Sequence, residues 1–552
     1  MRRRVVDAPL WAHAATLVVL LVVLLPVVGT SASFTADEGA YIFEAKTIAR
    51  SGSFLIDHPL PEADPEGTAF PLALARETDG GWVTVGKHPV YSVLLATADR
   101  VGGVTAMVVL SLLGTVGAAV AAALIARRFD PSLALPAFWF VGVGSPLFFD
   151  GYWVMAHTLA AAACGLSFLT VLHAREREST GLMMLAGGFA AVGVLLRREA
   201  VLFVGALVLV LLVRSLTNRR RLDAITGFVV GGCAGVALAF ERVWSGAILP
   251  GTSSTPRAPV ASSGSLSGRL DGFVITWLQP GYAPLEGRHM FLIVMAALGA
   301  TLVCFARWRP REGGLLAVAA VAVVGVAVAA VVSWAPGPVP GLLVACPVVL
   351  YGLVALRRVP GEPAIALWTA AVFAAIVLAT QYDRGGALEW GGRYFALALP
   401  VAIPALLLGL RATITALDRT GRIAIVGALV VSSVTMSWLA IEALRDGHQR
   451  HDRLVSAAAE LGLTTPPGDG GSAVIVAADF DLGRFAWPVA DETRWLYASD
   501  LDALAPRLRS AGIEQFVYVA DDRDGSEARS AGLVVTSTVA GGAIQQLAFP
   551  TG

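Results

Sequence analysis

The chain has 552 residues, 56% of them hydrophobic and 15% charged, with a formal net charge of zero. Soluble domains average about 25% charged residues, so a chain this long and this apolar reads as a polytopic membrane protein. With neither net charge nor a basic tract it has no footprint for nucleic acid. The cysteines Cys164, Cys233, Cys304 and Cys346 all lie in apolar runs, which argues for buried thiols and against a disulfide framework.

Met1-Arg2-Arg3-Arg4 precedes an apolar run from Trp11 to Thr30. About 20 such residues suffice to span a bilayer, so the run reads as a retained first helix with its N-terminus inside. Further apolar runs follow at Val104–Ala126, Leu133–Phe149, Trp153–Leu172, Leu182–Leu196, Ala200–Val213, Ile225–Phe240, Met290–Phe305, Leu315–Val332, Leu342–Leu356, Ala364–Thr380, Phe395–Leu410 and Ile423–Ile441. On length this makes about 13 crossings. The arginine clusters at Arg127-Arg128, Arg175 with Arg177, Arg219-Arg220-Arg221, Arg307 with Arg309 and Arg311, Arg357-Arg358, and Arg411 through Arg422 then all fall on the inner side, as the positive-inside rule requires. Leu182–Val213 is interrupted by Arg197-Arg198-Glu199 and reads as two short helices meeting near the outer surface.

The fold expected is therefore an α-helical polytopic membrane domain over residues 1–441, with an outward first loop over 31–103. Residues 442–552 form a small outward α/β domain. In it, Val474–Ala477, Phe516–Val519 and Leu533–Val535 read as buried strands. Leu501–Ala511 reads as a helix capped by Asp500 and stopped by Gly512. An odd number of crossings puts this tail outside. The multi-pass chain would sit in the cell membrane with its N-terminus cytoplasmic and its C-terminal domain extracytoplasmic.

Four short motifs carry chemistry. Thr35-Ala36-Asp37-Glu38-Gly39-Ala40-Tyr41 follows the first helix and reads as a short surface helix with Asp37, Tyr41 and Glu44 on one face. Asp37 suits a general base there; it also suits a helix cap, with Glu38 favouring the positive end. Gly86-Lys87-His88-Pro89-Val90-Tyr91 closes the same loop. Only Lys46 and Lys87 are lysines among 41 basic residues, and Lys87 is placed to bind phosphate or to snorkel at the interface. Trp390-Gly391-Gly392-Arg393-Tyr394-Phe395 offers Arg393 to a lipid-linked phosphate or to a local partner, Glu389 or Asp383. Arg197-Arg198-Glu199 lies near membrane depth, where charges are paired or functional. His157 reads as a packed, hydrogen-bonded core histidine. No HExxH, CxxC, Walker loop or nucleophile elbow occurs, so a zinc site, a P-loop ATPase and a serine hydrolase have no support.

Taken in order, these motifs resemble those of the C-type (GT-C) polytopic glycosyltransferases, in particular the protein O-mannosyltransferase and lipid A aminoarabinose transferase group. The resemblance rests on Ala36-Asp37-Glu38-Gly39-Ala40-Tyr41, Lys87-His88-Pro89-Val90-Tyr91, Leu196-Arg197-Arg198-Glu199-Ala200 and Trp390-Gly391-Gly392-Arg393-Tyr394-Phe395. It implies a polyprenyl-phosphate sugar donor and a hydroxyl acceptor on an envelope glycan, lipid or protein, outside the cytoplasm, with inversion at the anomeric carbon. By this match Asp37 is the base. Glu38 assists it or helps to place a divalent cation, the one cofactor the resemblance leaves open. Lys87 and Arg393 bind the donor phosphate, and Tyr41, His88, Arg197, Arg198, Glu199 and Tyr394 line the cavity. Val90 departs from the pattern, standing where a second proline is common. The competing classes are a transporter or lipid flippase, which would want polar or broken midplane helices, and a non-catalytic scaffold of the same fold.

Overall fold

The computed structural model describes residues 9–30, 36–58, 60–65, 75–78, 81–84, 88–248, 266–273, 276–277, 340–354, 360–380, 390–417, 419–460, 474–477, 494–497, 500–519, 524–539 and 544–550. The runs expected at Met290–Phe305 and Leu315–Val332 lie outside these residues, as do Lys87, Asp383 and Glu389. Among the described residues, eight helices are long and apolar enough to cross a membrane.

Helix α1 spans Leu10–Val28 and α2 spans Ala36–Ser51. A two-stranded antiparallel ribbon, β1 (Ala75–Thr78) and β2 (Gly81–Thr84), precedes α3 (Pro89–Phe129). Helix α3 begins well before the apolar run read from sequence at Val104. It has two arms, divided where Gly102 and Gly103 leave helical geometry, Gly103 at φ +63°. A left-handed residue in mid-helix is open to glycine without steric cost, so the pair makes a bend at the expected start of the span.

The run Leu133–Phe149 does not form one crossing. A 3-10 turn at Pro131–Leu133 leads into α4 (Ala134–Gly142), and after a break α5 covers Pro146–Asp150. The Ser145 hydroxyl caps α5 by accepting from the Leu147 N–H, and Pro146 occupies its first turn, where its missing N–H costs nothing. Next come α6 (His157–Arg177), α7 (Thr180–Leu196), α8 (Ala200–Asn218), α9 (Arg221–Ile248) and α10 (Leu266–Phe273). Helices α7 and α8 are separate, as the Arg197-Arg198-Glu199 interruption requires. Then follow α11 (Leu342–Ala345), α12 (Pro347–Val354), α13 (Glu362–Thr380), a 3-10 segment Arg393–Ala398, α14 (Leu399–Thr415) and α15 (Arg419–Glu460). Helix α15 runs 19 residues past Ile441 before it ends.

Helices α3, α6 and α14 form the bundle's centre: Leu112, Ala119, Phe168, Leu172, Ile403 and Leu406 are all buried in one core. Outer faces carry exposed apolar side chains instead, such as Val22 and Val23 on α1, Phe228 and Val236 on α9, and Val431 and Trp438 on α15. Contiguous apolar surface of this kind is unfavourable in water and suits contact with lipid.

The C-terminal sheet has the order β4-β3-β5-β7-β6. Strands β3 (Val474–Ala477), β4 (Arg494–Tyr497) and β5 (Gln515–Val519) run parallel, and β6 (Val534–Val539) and β7 (Ile544–Ala548) complete it antiparallel. Helix α16 (Leu501–Ser510) is capped by Asp500, whose carboxylate accepts from the Ala503 N–H at 2.9 Å, and Gly512 follows it at φ +76°. The short α17 covers Ser526–Ser530. This unit shares its core with the first loop. Leu60 and Ala63 are fully buried among Leu496, Leu504, Leu508 and Phe516. Burying a leucine contributes about 1.5–3 kcal/mol. Around that contact, Asp64, its side chain fully buried, faces Arg507 at 3.2 Å and His58 at 3.4 Å, and Glu62 faces Arg494 at 3.5 Å.

Candidate functional site

Helix α2 does for its carboxylates what the sequence could not decide. Asp37 lies in the first turn, and its side chain turns to a residue 356 positions away: Nη1 of Arg393 donates to its Oδ2 at 3.0 Å. Arg393 is held by the Trp390-Gly391-Gly392 approach. Gly391 and Gly392 stand at φ +69° and +63°, and a Cβ on Gly391 would come within 2.2 Å of Pro146 Cγ, one on Gly392 within 2.7 Å of the Thr276 carbonyl. Only glycine fits both the left-handed backbone and the close approach. Trp390 stacks on Phe149 with ring centroids 4.9 Å apart, fixing the segment from the other side. The Arg393 guanidinium also donates to the Tyr394 hydroxyl at 3.2 Å, and both side chains are buried.

The neighbouring carboxylates on α2 serve packing. Glu38 is buried and its Oε1 accepts from the Val154 N–H at 2.8 Å, so it anchors the loop between α5 and α6. Glu44, one turn beyond Tyr41, is buried and accepts from the hydroxyls of Thr84 and Ser92. Asp37 differs from both, with 35% of its side chain exposed. Of the expected helix face, Asp37 and Glu44 thus turn to different partners, Arg393 for one and the Thr84 and Ser92 hydroxyls for the other.

Tyr41 and His88 form a second group. The Tyr41 hydroxyl accepts from the His88 N–H at 3.3 Å, and its ring meets Tyr91 edge-on at 5.0 Å. Burial pushes the Tyr41 hydroxyl well above the usual phenol range, the charge of Arg197 opposing only in part, so it is protonated at neutral pH. His88 Nε2 accepts from the Arg198 N–H at 3.3 Å. A neutral imidazole that accepts at Nε2 must carry its proton on Nδ1, which lies 2.6 Å from Glu241 Oε1. The start of α3, the Arg198 backbone and α9 are thereby joined through one ring.

Arg197 and Glu199 form a closed fork, Nε to Oε2 at 2.9 Å and Nη2 to Oε1 at 2.7 Å. Burial alone would raise the Glu199 carboxyl, but the Arg197 charge and its hydrogen bonds outweigh this and hold it below its ordinary value. Arg197 is raised in turn: burial works against its charge, and Glu199 outweighs burial. The charge of Arg393 acts on both.

Asp37, Glu38, Tyr41, His88, Arg197, Arg198, Glu199, Arg393 and Tyr394 are therefore brought into one connected region. Glu241 is a partner that none of the sequence motifs included. The signal that would have found it is its position on the α9 face that also buries Ala234 and Ala237. Among the described residues, no three His, Cys, Asp or Glu side chains gather into a metal-binding group.

No family model matches the chain, and no curated protein does. Solved structures do. ArnT from Cupriavidus metallidurans bound to undecaprenyl phosphate is similar at 13% identity and a TM-score of 0.49, with 96% of this chain and 97% of that chain covered. AglB from Archaeoglobus fulgidus, an archaeal oligosaccharyltransferase in complex with an inhibitory peptide and a dolichol-phosphate, is similar at 12% identity and a TM-score of 0.42, covering 92% of this chain and 69% of that one. At such identities the likeness assigns no role to any residue here.

Proposed function

We propose that the chain is a membrane glycosyltransferase that moves a sugar from a polyprenyl-phosphate donor to an acceptor hydroxyl on the extracytoplasmic side, with inversion. The observation that carries this reading is the meeting of Asp37 and Arg393 at 3.0 Å across 356 residues. A partly exposed carboxylate beside a buried guanidinium supplies the two groups that such a transfer needs.

In this reading the donor phosphate takes over Arg393. A 3.0 Å contact leaves no room for a phosphate between the partners, so donor entry parts the pair and releases Asp37. The acceptor hydroxyl then gives its proton to Asp37 as its oxygen attacks the anomeric carbon. The bond from that carbon to the phosphate oxygen breaks, and polyprenyl phosphate leaves with the bonding electrons. Arg393, with Lys87 from the loop end, stabilises the charge that grows on the leaving oxygen. Tyr41 and the Arg197–Glu199 fork border the site. Glu38 acts by holding the loop before α6. The group set supports protein cations in the leaving-group role.

The test is transfer of radiolabelled sugar from polyprenyl phosphate in membranes bearing the wild type or Asp37→Asn. The proposal expects loss of transfer with the protein still folded; unaltered transfer would remove Asp37 as base.

A further inference from the structure

His157 departs from its expected behaviour. As the first residue of α6 it is fully buried, which the sequence anticipated. Yet neither Nδ1 nor Nε2 has a hydrogen-bond partner among the described residues. The charges of Arg197, Arg393 and Asp37 act on the ring. Its backbone is pinned on both flanks by one serine. The Ser111 hydroxyl donates to the Met155 carbonyl at 3.3 Å, and the Thr158 hydroxyl donates to the Ser111 carbonyl at 2.7 Å. The loop that leads into it is tied to α2 by the Glu38–Val154 bond. The imidazole is thus held in place by its surroundings while its own polar atoms go unused.

Buried polar groups in native proteins are almost always satisfied, and each exception calls for a cause. A neutral imidazole presents one N–H donor and one lone-pair acceptor. A phosphate oxygen only accepts, so it could answer the donor edge alone. Sugar hydroxyls both donate and accept, so they can answer both edges at once. We infer that His157 reads hydroxyl groups of the transferred sugar and sets which sugar the site accepts. This rests on the glycosyl-transfer reading above and assigns it a specificity-determining contact.

The experiment uses the full chain in lipid nanodiscs. Binding is measured for bare undecaprenyl phosphate and for a panel of undecaprenyl-phosphate-linked hexoses and pentoses, with wild type, His157→Ala and His157→Gln. The inference expects His157→Ala to weaken the best sugar-linked lipid about 10-fold or more, the scale of a site built around a hydroxyl, and to leave the bare lipid within about two-fold. His157→Gln, which keeps a donor and an acceptor, should recover part of the loss. His157→Leu should keep or raise the melting temperature of the ligand-free protein, since no hydrogen bond is removed. Equal weakening of bare and sugar-linked lipids, no weakening of either, or a lower melting temperature for His157→Leu would overturn the inference. Wild type that holds every sugar-linked lipid no better than the bare one, and transfers none, would overturn the glycosyl-transfer reading itself.

Discussion

The two ends of the helix bundle both carry arginine–carboxylate pairs, built to different ends. At one end Arg175 lies across Asp223 through two bonds, Nε to Oδ1 at 2.6 Å and Nη2 to Oδ2 at 3.1 Å, with the Asp223 side chain fully buried. There too Arg128 forks onto Glu362 and reaches Glu176. At the other end Arg393 is as buried as Arg175, but its partner Asp37 keeps about a third of its side chain in contact with solvent. A sealed pair locks helices together. A pair open on one side can be taken apart by something that arrives from that side. Depth of the carboxylate, more than the presence of an ion pair, separates a strut from a site.

That contrast can be broken most sharply at Asp37. Asp37→Asn should reduce sugar transfer by about 10²–10⁴-fold, the contribution of a general base, with a smaller fall in melting temperature than the sealed pair gives, because solvent reaches the Asp37 side of Arg393. Asp223→Asn should do the reverse. It leaves Arg175 buried without its counter-charge, a loss of about 3–5 kcal/mol, read as a lower melting temperature in detergent. Gly391→Ala comes next. A left-handed position occupied by alanine costs about 1–3 kcal/mol, and the approach of Pro146 adds to it, so both stability and donor binding should fall. The smallest effect belongs to Arg128→Lys, where half-open pairs are worth about 0.2–1 kcal/mol.

The Arg197–Glu199 fork sharpens the comparison through pH. Glu199 has a lowered folded-state pKa, so its contribution is complete above its ordinary value of 4.5 and is lost as pH falls through the lower, folded-state value. Thermal unfolding of wild type between pH 7 and pH 3 should therefore show an acid loss that Glu199→Gln flattens. An unchanged acid limb in the variant would remove Glu199 as its source.

Much of this arrangement was legible in the chain. The break between α7 and α8 follows from three charged residues in an apolar run, and Asp500 and Gly512 mark both ends of α16. The region around Asp37 and Arg393 was readable because acidic and basic residues are scarce outside loops, so each one stood out. What escaped notice had weak local signals. Strand β4 is four residues, and β7 contains Gln545 and Gln546, so neither shows a clear apolar period. The α4–α5 break rests on Gly142, Gly144, Ser145 and Pro146, whose turn chemistry was overridden by an apolar count. Whether Asp37 capped its helix or faced a cation could not be read from spacing, because the answer lay 356 residues away.

The burial of Leu60 and Ala63 inside the C-terminal unit has a consequence for biosynthesis. The ribosome makes this loop some 400 residues before its cover, which begins at Val474. At about 5–20 residues per second the gap is on the order of 20–80 s. During that interval the loop beside Asp37 lacks its final partner. The enzyme proposed above would mature only when these strands arrive, so a chain still lacking them would span the membrane without yet having this loop in working order.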